Sequence, residues 1–221
     1  MACIKLNQSY FSSVIVSELP LQSFFSHPDV QSDTYLCSGH RADIYRIRYR
    51  NQDAIAKVYK PCYIRKYHKR YKTDIARFEF ERNKRFYDID ALRPYCARPC
   101  MYLPACDQHP SIFIQEYVDG ENILAFATRH SYLPKTVVEL GYMIVHMASQ
   151  NGLHDLDIHD ANVFIVKDEL GFKPVVCDFN MMPRDIAPPN PFMALSFFFR
   201  LRKRSYRDYR NLLYWQRFPM Q

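Results

Sequence analysis

The residues best equipped for chemistry fall in one short stretch, His154-Asp155-Leu156-Asp157-Ile158-His159-Asp160-Ala161-Asn162. Three Asp, two His and one Asn lie within these nine residues. An apolar run, a turn and a second apolar run follow, ending in Asp178-Phe179-Asn180. Phosphoryl transfer asks for such a set. It needs one carboxylate to orient the attacking hydroxyl and two oxygen ligands to hold Mg²⁺ against nucleotide phosphates. Asp157 fits the first role, and Asn162 with Asp178 fits the second. Asp178 closes the apolar strand Val175-Val176-Cys177, so a stiff element would aim its carboxylate at the metal.

The elements that must position these groups can be read from periodicity and turn chemistry. Ile44 to Tyr49 alternates with period two, Asn51-Gln52-Asp53 is a turn, and Ala54 to Tyr59 is a second strand, making a hairpin. A helix starts at an N-cap of Thr73 or Asp74 and runs to about Ala91, before Pro94. Strands fit Pro99 to Leu103 and Ser111 to Glu116. A long helix runs from after Pro134 to about Asn151, with Gly152 closing it. Short strands at Val163 to Val166 and Pro174 to Cys177 flank the turn at Lys167 to Gly171. Residues 1–33, rich in Ser, Asn and Gln, read as a flexible leader. The last forty residues read as irregular chain and then one or two basic, aromatic helices. A sheet-rich first lobe (34–118) followed by a helical second lobe (119–221) predicts a ligand cleft where the two meet.

These motifs resemble the protein-kinase-like superfamily over roughly residues 36–182. The catalytic-loop spacing is met at Asp157 and Asn162, and the D-F-G motif at Asp178-Phe179, with Asn180 in place of glycine. Ala54-Ile55-Ala56-Lys57 is similar to the V-A-I-K strand, which makes Lys57 the clamp on the α- and β-phosphates of ATP. Cys37-Ser38-Gly39-His40-Arg41-Ala42-Asp43-Ile44 resembles the glycine-rich loop with only Gly39 kept. Ile112 to Glu121 looks like the strand and hinge whose backbone, around Glu116 and Val118, would grip adenine. The resemblance implies an α+β, bilobal kinase fold: a small antiparallel-sheet N-lobe and a truncated, mostly helical C-lobe.

The family pattern also calls for a carboxylate partner to Lys57 on the first helix, and both Glu79 and Glu81 are available. At about 100° per residue, Ile75, Phe78, Phe86 and Ile89 cluster on one side, with Ala76, Phe80 and Tyr87 beside them. Glu79 falls between these clusters, facing the sheet, and Glu81 points to the basic face, so Glu79 is the expected partner. The competing reading makes Glu79 a surface pair with Arg82. Asp155 stands where kinases usually have His, and His159 where Ser/Thr kinases have Lys. His159 is open to two readings, as a brace within the loop or as a phosphate contact.

The chain carries no A-P-E motif after Arg184, Asp185 and Pro188-Pro189, so activity is not expected to await loop phosphorylation. A short second lobe and intact Lys57, Asp157, Asn162 and Asp178 resemble the minimal kinases that pathogenic bacteria inject through type III secretion. The HopBF-type family, which phosphorylates the ninety-kilodalton heat-shock chaperone, is the best match in overall pattern; minimal kinases that engage ubiquitin-charged enzymes are a second possibility. The implied activity is ATP- and Mg²⁺-dependent transfer to Ser or Thr of a host protein such as heat shock protein 90. The protein would be made in the bacterial cytoplasm and secreted into the host cell cytoplasm. Alternatives are a lipopolysaccharide-core or small-sugar kinase, and a catalytically dead nucleotide-binding scaffold.

Composition sets the outer limits. The 221 residues are 48% hydrophobic and 24% charged, which excludes a wholly disordered chain. No apolar run approaches the ~18 residues of a membrane span, and the N-terminus lacks a signal-peptide pattern. The net charge is +7, and residues 190–221 hold seven Lys/Arg against the single acid Asp208. The basic aromatic run Phe197 to Arg204 reads as part of a helix capping the core, with peripheral contact to an anionic membrane as the alternative. A second basic run, Lys57 to Lys72, contains no acid. Seven cysteines without Cys-x-x-Cys spacing read as reduced, buried thiols. Zinc on Cys96, Cys100, Cys106 and His109 is the less favoured reading. A monomer that binds no nucleic acid is expected.

Overall fold

The computed structural model describes Phe24 and residues 28–107, 109–179 and 190–221. The leader through residue 23, Asn180, Arg184, Asp185 and Pro188-Pro189 lie outside the described residues. The chain divides into two compact units, one reaching Phe80 and including Cys100–Gln115, the other formed by Glu81–Pro99 and Glu116–Gln221.

The first unit is built on an antiparallel sheet of five strands in the order β1-β2-β3-β5-β4. These are β1 Val30–Ser38, β2 Ala42–Tyr49, β3 Gln52–Tyr59, β4 Pro99–Leu103 and β5 Ile112–Glu116. The β2–β3 hairpin forms as the alternating pattern predicts, but its turn is Arg50-Asn51 and not Asn51-Gln52-Asp53, with Tyr49 opposite Gln52. Arg50 and Asn51 take the positive φ that the tight turn demands. Its buried face, with Ile47, Ala54, Ala56 and Val58, packs with Ile112 and Ile114 into one apolar cluster.

Two departures from the sequence reading stand out here. Strand β1 begins at Val30, inside the stretch read as leader; all its residues after Val30 are exposed, so it carries no alternation. The basic run hides a helix, α1 Pro61–Tyr71, with Ile64 and Tyr67 buried and cations on its outer face. Its apolar spacing of three was legible, but charge dominated the reading of the segment.

Helix α2, Ile75–Tyr87, starts as expected: Asp74 Oδ1 accepts the N–H groups of Ala76 and Arg77. It stops four residues short of Ala91, and turns lead into a short 3₁₀ segment, Arg93–Tyr95.

The second unit pairs helices with a small sheet, β6 Glu121–Asn122, β7 Val163–Asp168 and β8 Gly171–Val176. Its helices after α2 are α3 Ile123–His130, α4 Lys135–Gln150, α5 Pro191–Phe198 and α6 Tyr206–Trp215. Helix α3 went unread in the sequence; the Asn122 side chain caps it by accepting the Ala125 N–H. Helices α4 and α6 pack closely because position 141 is glycine. A Cβ there would lie 2.5 Å from the Trp215 ring and 2.8 Å from Leu212. The tail therefore splits. Helix α6 caps the core with Leu212 and Trp215, whereas α5 has no buried residue, which corrects the expectation that the Phe197–Arg204 run packs on the core.

The cysteines also depart from expectation. All six described ones are free thiols, yet Cys96 alone among them is buried, and Cys37, Cys62 and Cys106 are exposed. Cys96 donates toward Asn83 Oδ1 at 3.2 Å.

Candidate active site

In the first unit, Lys57 on β3 meets Glu79 on α2. Lys57 Nζ lies 2.5 Å from Glu79 Oε1, with only 9% and 3% of the two side chains exposed. Tyr59, two residues along the same strand face, donates its hydroxyl to the other carboxylate oxygen. Glu79 is therefore the partner of Lys57, and Glu81 sits on the exposed side of the helix. The helical phase argument works because a 13-residue helix with one buried face leaves few positions aimed at the sheet. Gly39 lies in the turn between β1 and β2, its N–H donating to Ala42 carbonyl at 2.8 Å. Lys60 Nζ donates to the Gly39 carbonyl at 2.7 Å, fixing that turn from the N-cap of α1.

In the second unit, the loop of Asp157 is held by its backbone. Asp155 and Asp157 both adopt left-handed φ angles, 54° and 65°. Non-glycine residues seldom do so, Asp more readily than most, and two within three positions need external support. Asp208 on α6 gives it, its carboxylate accepting the N–H groups of Asp155 at 2.8 Å and Leu156 at 2.7 Å. Arg82 donates to the carbonyls of His154 and Asp155 at 2.6 and 3.1 Å. Arg82 is thus 7% exposed and engaged with the loop, which replaces the surface-pair reading.

The preceding residue of α6, Arg207, spans two carboxylates. One guanidinium nitrogen donates to Asp155 Oδ1 at 3.0 Å and the other to Asp157 Oδ1 at 3.2 Å. Burial works against the Arg207 charge, but Asp155, Asp157 and Asp208 outweigh it and raise its pKa above the ordinary value. For Asp208, burial raises the pKa to about 7, reinforced by the nearby Asp155 carboxylate and opposed by the two backbone N–H donors and Arg82.

Asn162 closes the loop. Its side-chain amide donates to the Asp157 carbonyl at 3.1 Å, and its own carbonyl accepts the Cys177 N–H at 3.0 Å. That last bond ties the loop to the chain one residue before Asp178. The Asn162 amide oxygen and the carboxylate of the half-buried Asp178 are hard oxygen donors of the kind Mg²⁺ takes. Phe179 is buried against Phe86, ring centroids 5.1 Å apart. His159 braces the loop, its Nδ1 accepting the Ala161 N–H at 3.2 Å. Glu116 accepts the Arg98 N–H at 3.1 Å, and Val118 is buried with Ala97 and Val175.

Sequence reasoning assigned no role to Arg207 or Asp208 and considered Arg82 only in the competing surface-pair reading of Glu79. One signal was present: Asp208 is the single acid in a basic tail. Nothing local ties it to a loop 52 residues upstream.

This is the fold of protein kinase domains. Rad53 residues 1–466, solved in complex with AMP-PNP, superposes with a TM-score of 0.53 at 12% identity, over 72% of this chain and 42% of that one. The kinase domain of Mycobacterium tuberculosis PknI, solved as a double mutant, gives 0.51 at 17% identity over 76% of this chain. The chain spans 65% of the length of that PknI structure. No protein-family model matches the sequence, and no curated protein matches it.

Proposed function

We propose that the chain is an ATP-dependent phosphotransferase that moves a phosphoryl group from Mg·ATP to a Ser or Thr hydroxyl of a protein. The observation that carries this reading is the buried Lys57–Glu79 pair. A buried ion pair is no more stabilising than well-packed apolar residues of the same volume, so packing gives no reason for it. A lysine held and aimed by a carboxylate has a chemical reason, the clamping of nucleotide α- and β-phosphates. Gly39 would let the β1–β2 turn approach the phosphates, and the backbone from Glu116 to Val118 would take adenine.

Asp157 orients the acceptor hydroxyl and takes its proton, while Arg207 fixes the direction of the carboxylate. Asn162 and Asp178 would hold Mg²⁺, which offsets charge on the transferring phosphoryl oxygens when bound. The role of a bacterial effector acting inside a host cell, with heat shock protein 90 as its substrate, rests on resemblance to minimal secreted kinases.

The test is transfer of radiolabelled phosphate from ATP in the presence of Mg²⁺, offered host lysate, purified heat shock protein 90 and bacterial envelope extract in parallel. Phosphoserine or phosphothreonine on a host protein, lost with Asp157→Ala, is the expected result. Label in lipopolysaccharide would move the function to a sugar kinase. Nucleotide binding without transfer to any acceptor would reduce the chain to a scaffold.

A further inference from the structure

Helix α5 and the turn after it invert the usual pattern of a surface helix, which buries its apolar stripe and solvates the opposite face. Phe192, Leu195 and Phe199 fall at positions i, i+3 and i+7, so they share one face, and they are 84%, 51% and 62% exposed. Phe198 beside them is 78% exposed, as is Leu201. Among their neighbours, Met193, Ser196 and Phe197 are only half-buried. Large apolar side chains gathered on an outward face mark an interaction surface.

Charge identifies what that surface meets. Arg200, Arg202, Lys203 and Arg204 follow the helix, all exposed, and residues 190–207 contain no Asp or Glu. The cations are folded back beside the apolar stripe, because the N–H groups of Leu201 and Arg202 donate to the Ser196 carbonyl at 2.9 and 3.3 Å. The Arg202 guanidinium also lies 5.5 Å from the Tyr206 ring centre, at the start of the buried helix α6. The patch is thereby set on a packed element. No helix among the described residues is long and apolar enough to cross a membrane. A short apolar stripe ringed by cations suits lying in the headgroup layer, where apolar side chains insert and cations meet lipid phosphates.

We infer that Phe192, Leu195, Phe198, Phe199 and Leu201, with Arg200, Arg202, Lys203 and Arg204, form a docking surface for an anionic bilayer. The apolar side chains enter the acyl boundary, and the cations supply selectivity for negative headgroups. The surface is separate from the groups assigned to phosphoryl transfer, so it stands or falls by itself.

Co-sedimentation of the full chain with lipid vesicles tests it. The chain should bind vesicles of phosphatidylcholine with phosphatidylserine and stay in solution with phosphatidylcholine alone. High salt should release it, because the cation contribution is screened. Phe198→Ser/Phe199→Ser and, separately, Arg200→Gln/Lys203→Gln/Arg204→Gln should each lower the partition coefficient by about tenfold or more. Their melting temperatures should match the parent, since the altered side chains are exposed. Equal binding to both vesicle types, no binding, or binding untouched by either variant would overturn the inference. Self-association lost with Phe198→Ser/Phe199→Ser, without vesicle binding, would reassign the patch to a second copy. Capture of an acidic protein in place of vesicles would reassign it to a protein partner.

Discussion

The guanidinium of Arg207 donates to the carboxylate of Asp157 at 3.2 Å, although the two residues lie 50 positions apart. The same guanidinium holds Asp155, whose side chain is 1% exposed. A planar fork is suited to two carboxylates in fixed directions, and a lysine is not. The expected general base is thus oriented by a helix from the tail.

Arg207→Met should lower the rate of phosphoryl transfer by roughly tenfold to a hundredfold, the kinetic equivalent of one charge-assisted hydrogen bond. The loss should appear in kcat and leave KM for ATP nearly unchanged, because the group touches the base and not the nucleotide. Arg207→Lys should restore part of the stability and little of the rate. Steady-state kinetics with a melting curve for each variant checks this, and a pure KM effect would contradict it.

Lys57→Met should cost stability as well as activity. It strands Glu79, 2% exposed, as a buried carboxylate without its cation, a change worth about 3–5 kcal/mol. Adding Glu79→Gln removes the stranded charge, so the double variant should melt well above Lys57→Met while remaining inactive. Recovery of phosphoryl transfer in the double variant would show that Lys57 does not act on the nucleotide.

Asp178→Ala should abolish Mg²⁺-dependent ATP turnover and shift stability by no more than roughly 1 kcal/mol, since the side chain is only half-buried. Turnover titrated against Mg²⁺, with circular dichroism on the same samples, reads both. Undiminished turnover would place the metal elsewhere.

Asp208 makes a pH prediction with a definite sign. Its folded pKa, about 7, lies above its ordinary 3.8, so the folded chain keeps a proton that the unfolded chain has lost across that window. The stability tied to this proton is full below about pH 3.8 and is lost as pH rises through about 7. Asp208→Asn removes the titration and one N–H acceptor. The variant should be less stable overall, and the gap between parent and variant should narrow from pH 5 to pH 8. Melting temperatures at a series of pH values decide it; a constant gap would mean that Asp208 does not titrate in this range.

Gly141→Ala should destabilise the α4–α6 packing by about 1–3 kcal/mol, the usual cost of overfilling a packed contact. Denaturant unfolding measures it. A neutral result would mean that the Trp215 ring can move aside.

The candidate residues could be named without coordinates because the pattern around each is local. Asp157 and Asn162 share one loop, Asp178 follows an apolar strand that ends at Val176, short of the Cys177 end that the sequence suggests, and Lys57 sits in a period-two hairpin. Glu79 followed from helical phase, a property of α2 alone. The failures are equally physical. Strand β1 is exposed along nearly its whole length and shows no alternation, while in α1 a dense positive charge masked an apolar spacing of three.

The sequence by itself determined which groups are present and the order in which the kinase-like elements occur, since spacing and periodicity are set within a few residues. Only the tertiary structure decided what holds the Asp157 loop in its left-handed backbone, which of the tail segments packs, and where Arg82 points. Those outcomes depend on residues brought together over 50 or more positions. Contacts at that range are fixed by how buried surfaces fit, and a linear pattern carries no record of the fit.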